Sequence, residues 1–313
     1  MGLIKKAYEI DTNHLKLKVL LYGQPGIGKT TLALSSPRPL LIDTDGGVHR
    51  VRAEDRVDTL QVSNYKEVLQ VLNENLSEYD TIVFDTAGRL LDYMSAWLIE
   101  NDPKLAKRDG ALTISGFGSR KAEFQNLLKR ISIMRKYLIF VAHEKEEKNG
   151  DTKIIRPEIG GSSGGDLIKD LDLVGYMEAH GNIKTISFTP CEKFYAKNSA
   201  HMDEVIKIPI LGDKVKNTFM RSIIAKNEEA IRKESDQIKT FKETITKITS
   251  IVEGISDADS ANAAISQIAE LEHIWDSKAK ANELIQARTN SLGLKYVKDH
   301  GYVPIQQEQQ DVA

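Results

Sequence analysis

The chain has 313 residues, 41% of them apolar, enough for one large domain or for one domain with an appendage. Its 43 basic and 45 acidic side chains nearly cancel, to a net charge of −2. No global basic footprint points to nucleic acid, so any such contact rests on local patches. Cys191 is the single cysteine, which excludes an internal disulfide and any cysteine-pair zinc site. The opening stretch MGLIKKAYEIDTNHLKLK lacks the apolar core of a signal peptide, and no run approaches about 18 apolar residues. Together these features read as a soluble, cytoplasmic protein with no membrane partner.

The first predicted element is LKVLLYG, a short apolar run that stops at Gly23 as a buried strand feeding a loop does. Gly23, Gln24, Pro25, Gly26, Ile27, Gly28, Lys29 and Thr30 match the phosphate-binding pattern G-x-x-x-x-G-K-[ST] letter for letter. KTTLALS, which contains Thr31, then starts a helix that Pro37 cuts short. The pattern has a physical reason. Glycines let backbone N–H groups turn inward around phosphate oxygens, and the helix N-terminus adds its partial positive charge. Lys29 is expected to reach the outer phosphates and Thr30 to hold Mg²⁺.

A second strand, PLLIDTDGG, follows closely and ends in Asp43, Thr44, Asp45 and two glycines. On its own, DTDGG is either a turn capped by solvated acids or a carboxylate presented beside the phosphates. YDTIVFDTAGRL supplies another buried strand, ending in Asp85, the expected second acid behind the Mg²⁺ water shell. KYLIFVAHE ends in His143, placed either to sense a γ-phosphate or simply as a structural strand end. Asp85–Arg89, DTAGR, is also the signature of signal-recognition-particle GTPases. That reading needs a T-K-x-D string, and the nearest, TKII, puts Ile155 where the base-reading Asp belongs. Many AAA+ ATPases carry Glu after the strand-ending Asp; Thr86 stands there and cannot act as a base.

The string LLIDTDGG resembles the RecA/RadA recombinases, whose equivalent strand ends in I-D-x-E with the water-activating Glu last. By that match Asp45 is the expected base, one methylene shorter. A narrower resemblance joins LLIDTDGG, ALTISGFGSRKAEFQNLLKRI, VAHEKEEKNGD, RPEIGGSSGGDLIKDLDLVGYME and YAKNSA. These strings look like the phage-encoded RecA-like ATPases proposed to act in single-strand annealing and recombination. The resemblance runs from about residue 16 to residue 210. It implies ATP and Mg²⁺, a homo-oligomer with ATP at subunit interfaces, single-stranded DNA as partner, and a single-strand-binding protein as a further partner. It also implies Lys197 as a cation reaching a neighbour's γ-phosphate, although Ser199 stands where a second basic residue is expected.

Two segments invite a DNA reading. Residues 104–121 carry Lys104, Lys107, Arg108, Arg120 and Lys121 around Gly116-Phe117-Gly118, with Phe117 able to stack on a base. Residues 144–166 carry Lys153, Arg156 and a glycine-serine loop, but also Glu144, Glu146, Glu147 and Asp151, which repel phosphate. Either segment read alone is also an ordinary solvated loop.

Past residue 218 the pattern changes. Ile231, Ile238, Ile245 and Val252 recur every seven residues, with Phe241, Ile248 and Ile255 three further on, and Gly254 as a helix stop. Further helices are expected over about 259–275 and 277–291, the stripe packing on these neighbours. The expected fold is α/β: a RecA-like P-loop core with a mainly parallel central sheet flanked by helices, plus a small all-α C-terminal module. Its expected divisions are 1–217, 218–300 and a disordered polar tail, 301–313. The competing readings are a GTPase-like switch that regulates a protein partner, and a helicase or helicase-loader motor.

Overall fold

The computed structural model describes residues 10, 15–149, 152–160, 165, 168–210 and 216–305. The chain divides into two compact units, a larger one, His14–Glu228, and a smaller one built on the described residues from Glu229 onward.

In the larger unit, strand β1, Lys18–Gly23, shows why the sheet forms. Successive strand side chains point to opposite faces. Leu20 and Tyr22 enter one core with Phe84, Leu90, Phe124 and Phe140. Val19 and Leu21 enter a second core with Ile27, Leu32, Val83 and Ile139. A strand apolar on both faces needs helices on both, which is the condition for a parallel sheet.

After β1 come helix α1, Lys29–Ala33, and strands β2, Pro39–Asp43, and β3, Thr59–Gln61. Helix α2, Tyr65–Val71, strand β4, Thr81–Asp85, and helices α3, Ala87–Asn101, and α4, Ile114–Ile133, follow. Strands β5, Tyr137–Asn149, β6, Thr152–Pro157, β7, Leu173–His180, β8, Ile183–Ser187, β9, Lys197–Asn198, and β10, Val205–Ile208, complete the sheet. The order across it is β10-β8-β7-β1-β5-β4-β2-β3. Strands β7 through β3 in that order run parallel, while β8 and β10 are antiparallel at one edge. This is the expected α/β, RecA-like arrangement. Its register sets Gly23 beside His143 and Asp43 beside Asp85. The carboxyl ends of β1, β2 and β4 therefore meet His143, midway along β5, on one rim, where open α/β sheets bind ligands.

Helix α5, Phe219–Glu253, starts within the larger unit, where Phe219, Met220, Ile223 and Ile224 join the second core. In the smaller unit its later residues Ile248 and Val252, with Ile255 just beyond it, pack with Ala261, Ala264 and Ile268 of α6, Ala258–Ala269, and Ala281 and Ile285 of α7, Ser277–Ser291. The apolar stripe thus packs on its neighbours in the chain. The module is not all helical. Strands β11, Leu294–Val297, and β12, Gly301–Pro304, form a hairpin where the sequence reading ended the module and began a disordered tail. Positive φ at Asp299 and Gly301 builds its turn. The rest of the tail expectation, 306–313, lies outside the described residues.

Candidate nucleotide site

Between β1 and α1 the chain makes the phosphate-binding loop. Gly23, Gly26 and Gly28 all have positive φ, and Gly28 is the N-cap of α1 in left-handed conformation. At Gly23 a Cβ would stand 2.4 Å from the Met177 carbonyl oxygen, so the loop leaves the sheet through a gap only glycine fits. Lys29 is 6% exposed, and its ammonium donates to the carbonyls of Gly23 (2.9 Å) and Gln24 (2.8 Å). Burial lowers its pKa, against the attraction of Asp85 and Glu144. A buried ammonium whose hydrogen bonds go to two neutral carbonyls is placed to take an anion.

Thr30 Oγ1 donates to Asp85 Oδ2 at 2.5 Å, joining the P-loop helix to the end of β4. Burial raises the Asp85 pKa; Asp43 and Asp45 add to the shift, while the Thr30 hydrogen bond and Lys29 oppose it. A divalent cation would relieve this crowding of carboxylates. The donor set, one hydroxyl and one carboxylate, fits Mg²⁺ that takes its other ligands from phosphate and water. Among the described residues no cluster of three or more His, Cys, Asp or Glu forms an all-protein metal site.

The two acids of DTDGG separate in role. Asp43 is 2% exposed and accepts backbone N–H groups from Asp45 (3.2 Å), Gly47 (3.1 Å) and Val48 (3.1 Å). It is the turn cap. Asp45 is the presented acid, with Oδ1 4.0 Å from Arg89 Nε. Thr86 N-caps α3, its hydroxyl accepting from Arg89 N–H at 3.4 Å, which gives this position a structural use.

A polar cavity of about 420 Å³ brings Asp45 and His143 together, with Thr86, Arg89, Lys145 and Glu158 on its walls. His143 Nδ1 is buried and has no hydrogen-bond partner. A second, more apolar cavity of about 490 Å³ lies along the P-loop helix, lined by Ile27, Gly28, Thr31, Leu32, Ile208 and Ile210 among others. Its volume is that of a small-molecule pocket. Thr31 thus faces a different space from Thr30.

Two charged residues stand at this site that the sequence reading does not place here: Lys184, which it passes over, and Glu144, which it reads as part of a DNA-facing segment. Lys184 on β8 donates to the Ile27 carbonyl at 2.7 Å, placing a cation over the P-loop from 157 positions away. Glu144 acts on Lys29 and Tyr176, and its Oε2 is buried without a partner. Burial, with Glu144 and Glu178 adding to it, pushes the Tyr176 phenol up to about 12. Lys197, by contrast, donates within its own chain, to the carbonyls of Lys169 and Leu171.

The basic segments also differ from expectation. Gly116, Phe117 and Gly118 are in helix α4, capped by Thr113, rather than in a loop. Arg120 is 4% exposed and donates to Ser95 Oγ (3.2 Å) and the Gly160 carbonyl (2.6 Å), so it is a buried tie between segments. Lys104, Lys107 and Arg108 are exposed. Residues 144–149 and 152–157 pair as an antiparallel arm, β5 with β6, instead of a loop. Its charges pair with one another: Lys153 with Glu146 at 3.0 Å, Arg156 with Glu147 at 2.9 Å and Lys145 with Glu147 at 2.6 Å. The glycine-serine stretch 161–164 lies outside the described residues.

Fold and site together define a P-loop nucleotide-binding protein with a RecA-like α/β core. The sequence matches the AAA domain family (AAA_24) over residues 15–200, and the chain belongs to that family. No curated protein matches its sequence. Among solved structures it is similar to a RadB recombinase, at 15% identity and a TM-score of 0.35, over 55% of this chain and 79% of that one. It is also similar to a DnaB-like replicative helicase, at 11% identity and a TM-score of 0.39, over 61% of this chain and 54% of that one. Among the described residues no helix is long and apolar enough to cross a membrane.

Proposed function

We propose that this protein is a Mg²⁺-dependent ATPase that binds single-stranded DNA and promotes annealing or strand exchange in phage-type homologous recombination. The observation that carries the reading is strand β5. It brings His143, with its unpartnered Nδ1, to the polar cavity beside Asp45, and then runs without a break into the arm paired with β6. A group placed to respond to the outer phosphate and an arm that can carry the response outward are thus consecutive on one strand.

In this reading Lys29 and the P-loop N–H groups bind phosphate. Thr30 and Asp85 hold Mg²⁺, which supplies charge neutralisation at the phosphates. Asp45 accepts the proton of the attacking water, with Arg89 beside it. The cavity along α1 takes the nucleoside. Exposed Lys104, Lys107 and Arg108 neutralise DNA phosphates. Subunits meet as a homo-oligomer with ATP between them, with Lys197 leaving its own-chain carbonyls to reach the neighbour's nucleotide, and a single-strand-binding protein is a further partner.

The internal charge pairing of the arm favours a second reading, a nucleotide switch that regulates a protein partner. Anisotropy of labelled oligo(dT) discriminates the two. The first predicts binding that is tighter with a non-hydrolysable ATP analogue than with ADP. Absence of oligo(dT) binding in both states contradicts it and favours the switch.

A further inference from the structure

The smaller unit holds a cavity of about 720 Å³ between α6, α7 and the β11–β12 hairpin. Its floor is apolar: Ile268, Ala281, Ile285 and Leu294 are buried there. Its rim leaves large apolar groups in water, with Ile265 at 36%, Tyr296 at 62% and Ile305 at 53% exposure. Scattered apolar residues on a surface need no explanation, but a contiguous set around a concave floor marks a binding groove.

The walls are fixed. Asn262 on α6 clamps β12 by both its amide groups, accepting from Tyr302 N–H at 2.8 Å and donating to the Tyr302 carbonyl at 3.2 Å. Tyr296 and Tyr302 stack edge to face across the hairpin, their centroids 5.4 Å apart. Ile305 N–H donates to the Gly293 carbonyl at 2.8 Å, closing the groove's end. A rigid groove has little ordering entropy left to lose on binding.

Charge selects the occupant. Lys278 and Lys295 line the groove, both exposed and neither in an ion pair among the described residues, while Lys280 beside them pairs with Asp276 at 3.2 Å. The remaining polar lining is amide, hydroxyl or imidazole, and no carboxylate lines it. His273 is already engaged with Ser277 Oγ and the Ile268 carbonyl.

We propose that this groove docks a short acidic amphipathic segment of a partner protein, its apolar side chains seated on Ile268, Ile285 and Leu294 and its carboxylates on Lys278 and Lys295. The inference is independent of the reading of the nucleotide site.

The test uses the full chain and a fluorescein-labelled peptide in which Asp alternates with Leu and Phe, with a Lys-for-Asp peptide as control. The acidic peptide binds, the basic one does not, and the K278E/K295E double variant weakens the acidic peptide by at least about tenfold. Ile265→Ser on the apolar rim weakens it without altering the charge. All four results together support the proposal. Equal binding of both peptides, or unchanged binding by the double variant, overturns it. Three other occupants would also overturn it. A second copy would show as a dimer lost in the double variant with no peptide bound. Oligo(dT) would lose affinity in that variant while no peptide binds. The chain's own end would show as a peptide affinity raised about tenfold by deleting residues 306–313.

Discussion

The nucleotide site and the β5–β6 arm use the same residue types to opposite ends. At the site Lys29 and Asp85 are buried, desolvated and surrounded by charges of mixed sign. In the arm, exposed Lys153 and half-buried Arg156 sit against Glu146 and Glu147. Surface pairs of that kind contribute about 0–1 kcal/mol and are screened by salt. The site holds charges that await a ligand; the arm holds charges that satisfy each other. A lysine in the sequence therefore says little until its partner is known.

Substitutions sharpen this contrast, starting with the largest effect. Lys29→Ala is expected to lower ATP hydrolysis by at least about a hundredfold, because its buried ammonium is the P-loop side chain placed to neutralise the outer phosphates. Steady-state phosphate release measures it. Asp85→Asn is expected to lower hydrolysis by a similar factor, about a hundredfold, while raising the Tm of the nucleotide-free protein.

The sign of the stability effect follows from the raised Asp85 pKa. The folded state keeps this proton to higher pH than the unfolded chain does. Its contribution to stability is therefore full below the unfolded-state pKa and is lost as pH rises through the folded-state pKa. Thermal melts of wild type and Asp85→Asn across that window are expected to diverge as pH rises, with the variant the more stable at neutral pH. Convergent melts would mean Asp85 is not crowded as described.

Asp45→Asn is expected to lower hydrolysis about tenfold to a hundredfold with nucleotide binding intact, and Glu144→Gln to do less. The reverse order would transfer the role of base to Glu144. The smallest effects belong to the surface. Reversing Lys104, Lys107 and Arg108 to Glu should weaken oligo(dT) binding and reduce its salt slope by about two. Lys153→Glu, which breaks one internal pair of the arm, should change affinity by less than about threefold.

Much of this site was legible in the sequence because its signals are local. The P-loop spacing and an apolar run ending in Asp85 each fit within a few residues, and the Thr30–Asp85 hydrogen bond then joins them. The choice of Asp45 over Asp43 comes only from the RecA/RadA resemblance, since both are acids at the same strand end, and the turn's N–H groups on Asp43 are what tell them apart in structure. Arg120 reads as a surface cation, but its partners at Ser95 and Gly160 lie 25 and 40 positions away. Lys184 has the same excuse, its contact being made across the sheet. The C-terminal hairpin left a readable mark in Asp299-His300-Gly301, a turn-forming string between short strand-like runs. The arm's half of β5, Glu144–Asn149, is polar, and β6, β11 and β12 are six residues or fewer, too short for apolar periodicity to give warning.

The most direct test is phosphate release from ATP and GTP by the full chain, with and without single-stranded DNA, using Lys29→Ala as the blank. The proposed function predicts hydrolysis of ATP in preference to GTP and a rate raised by the DNA, because His143 and the arm belong to one strand. A rate indifferent to DNA, or a preference for GTP, would contradict it.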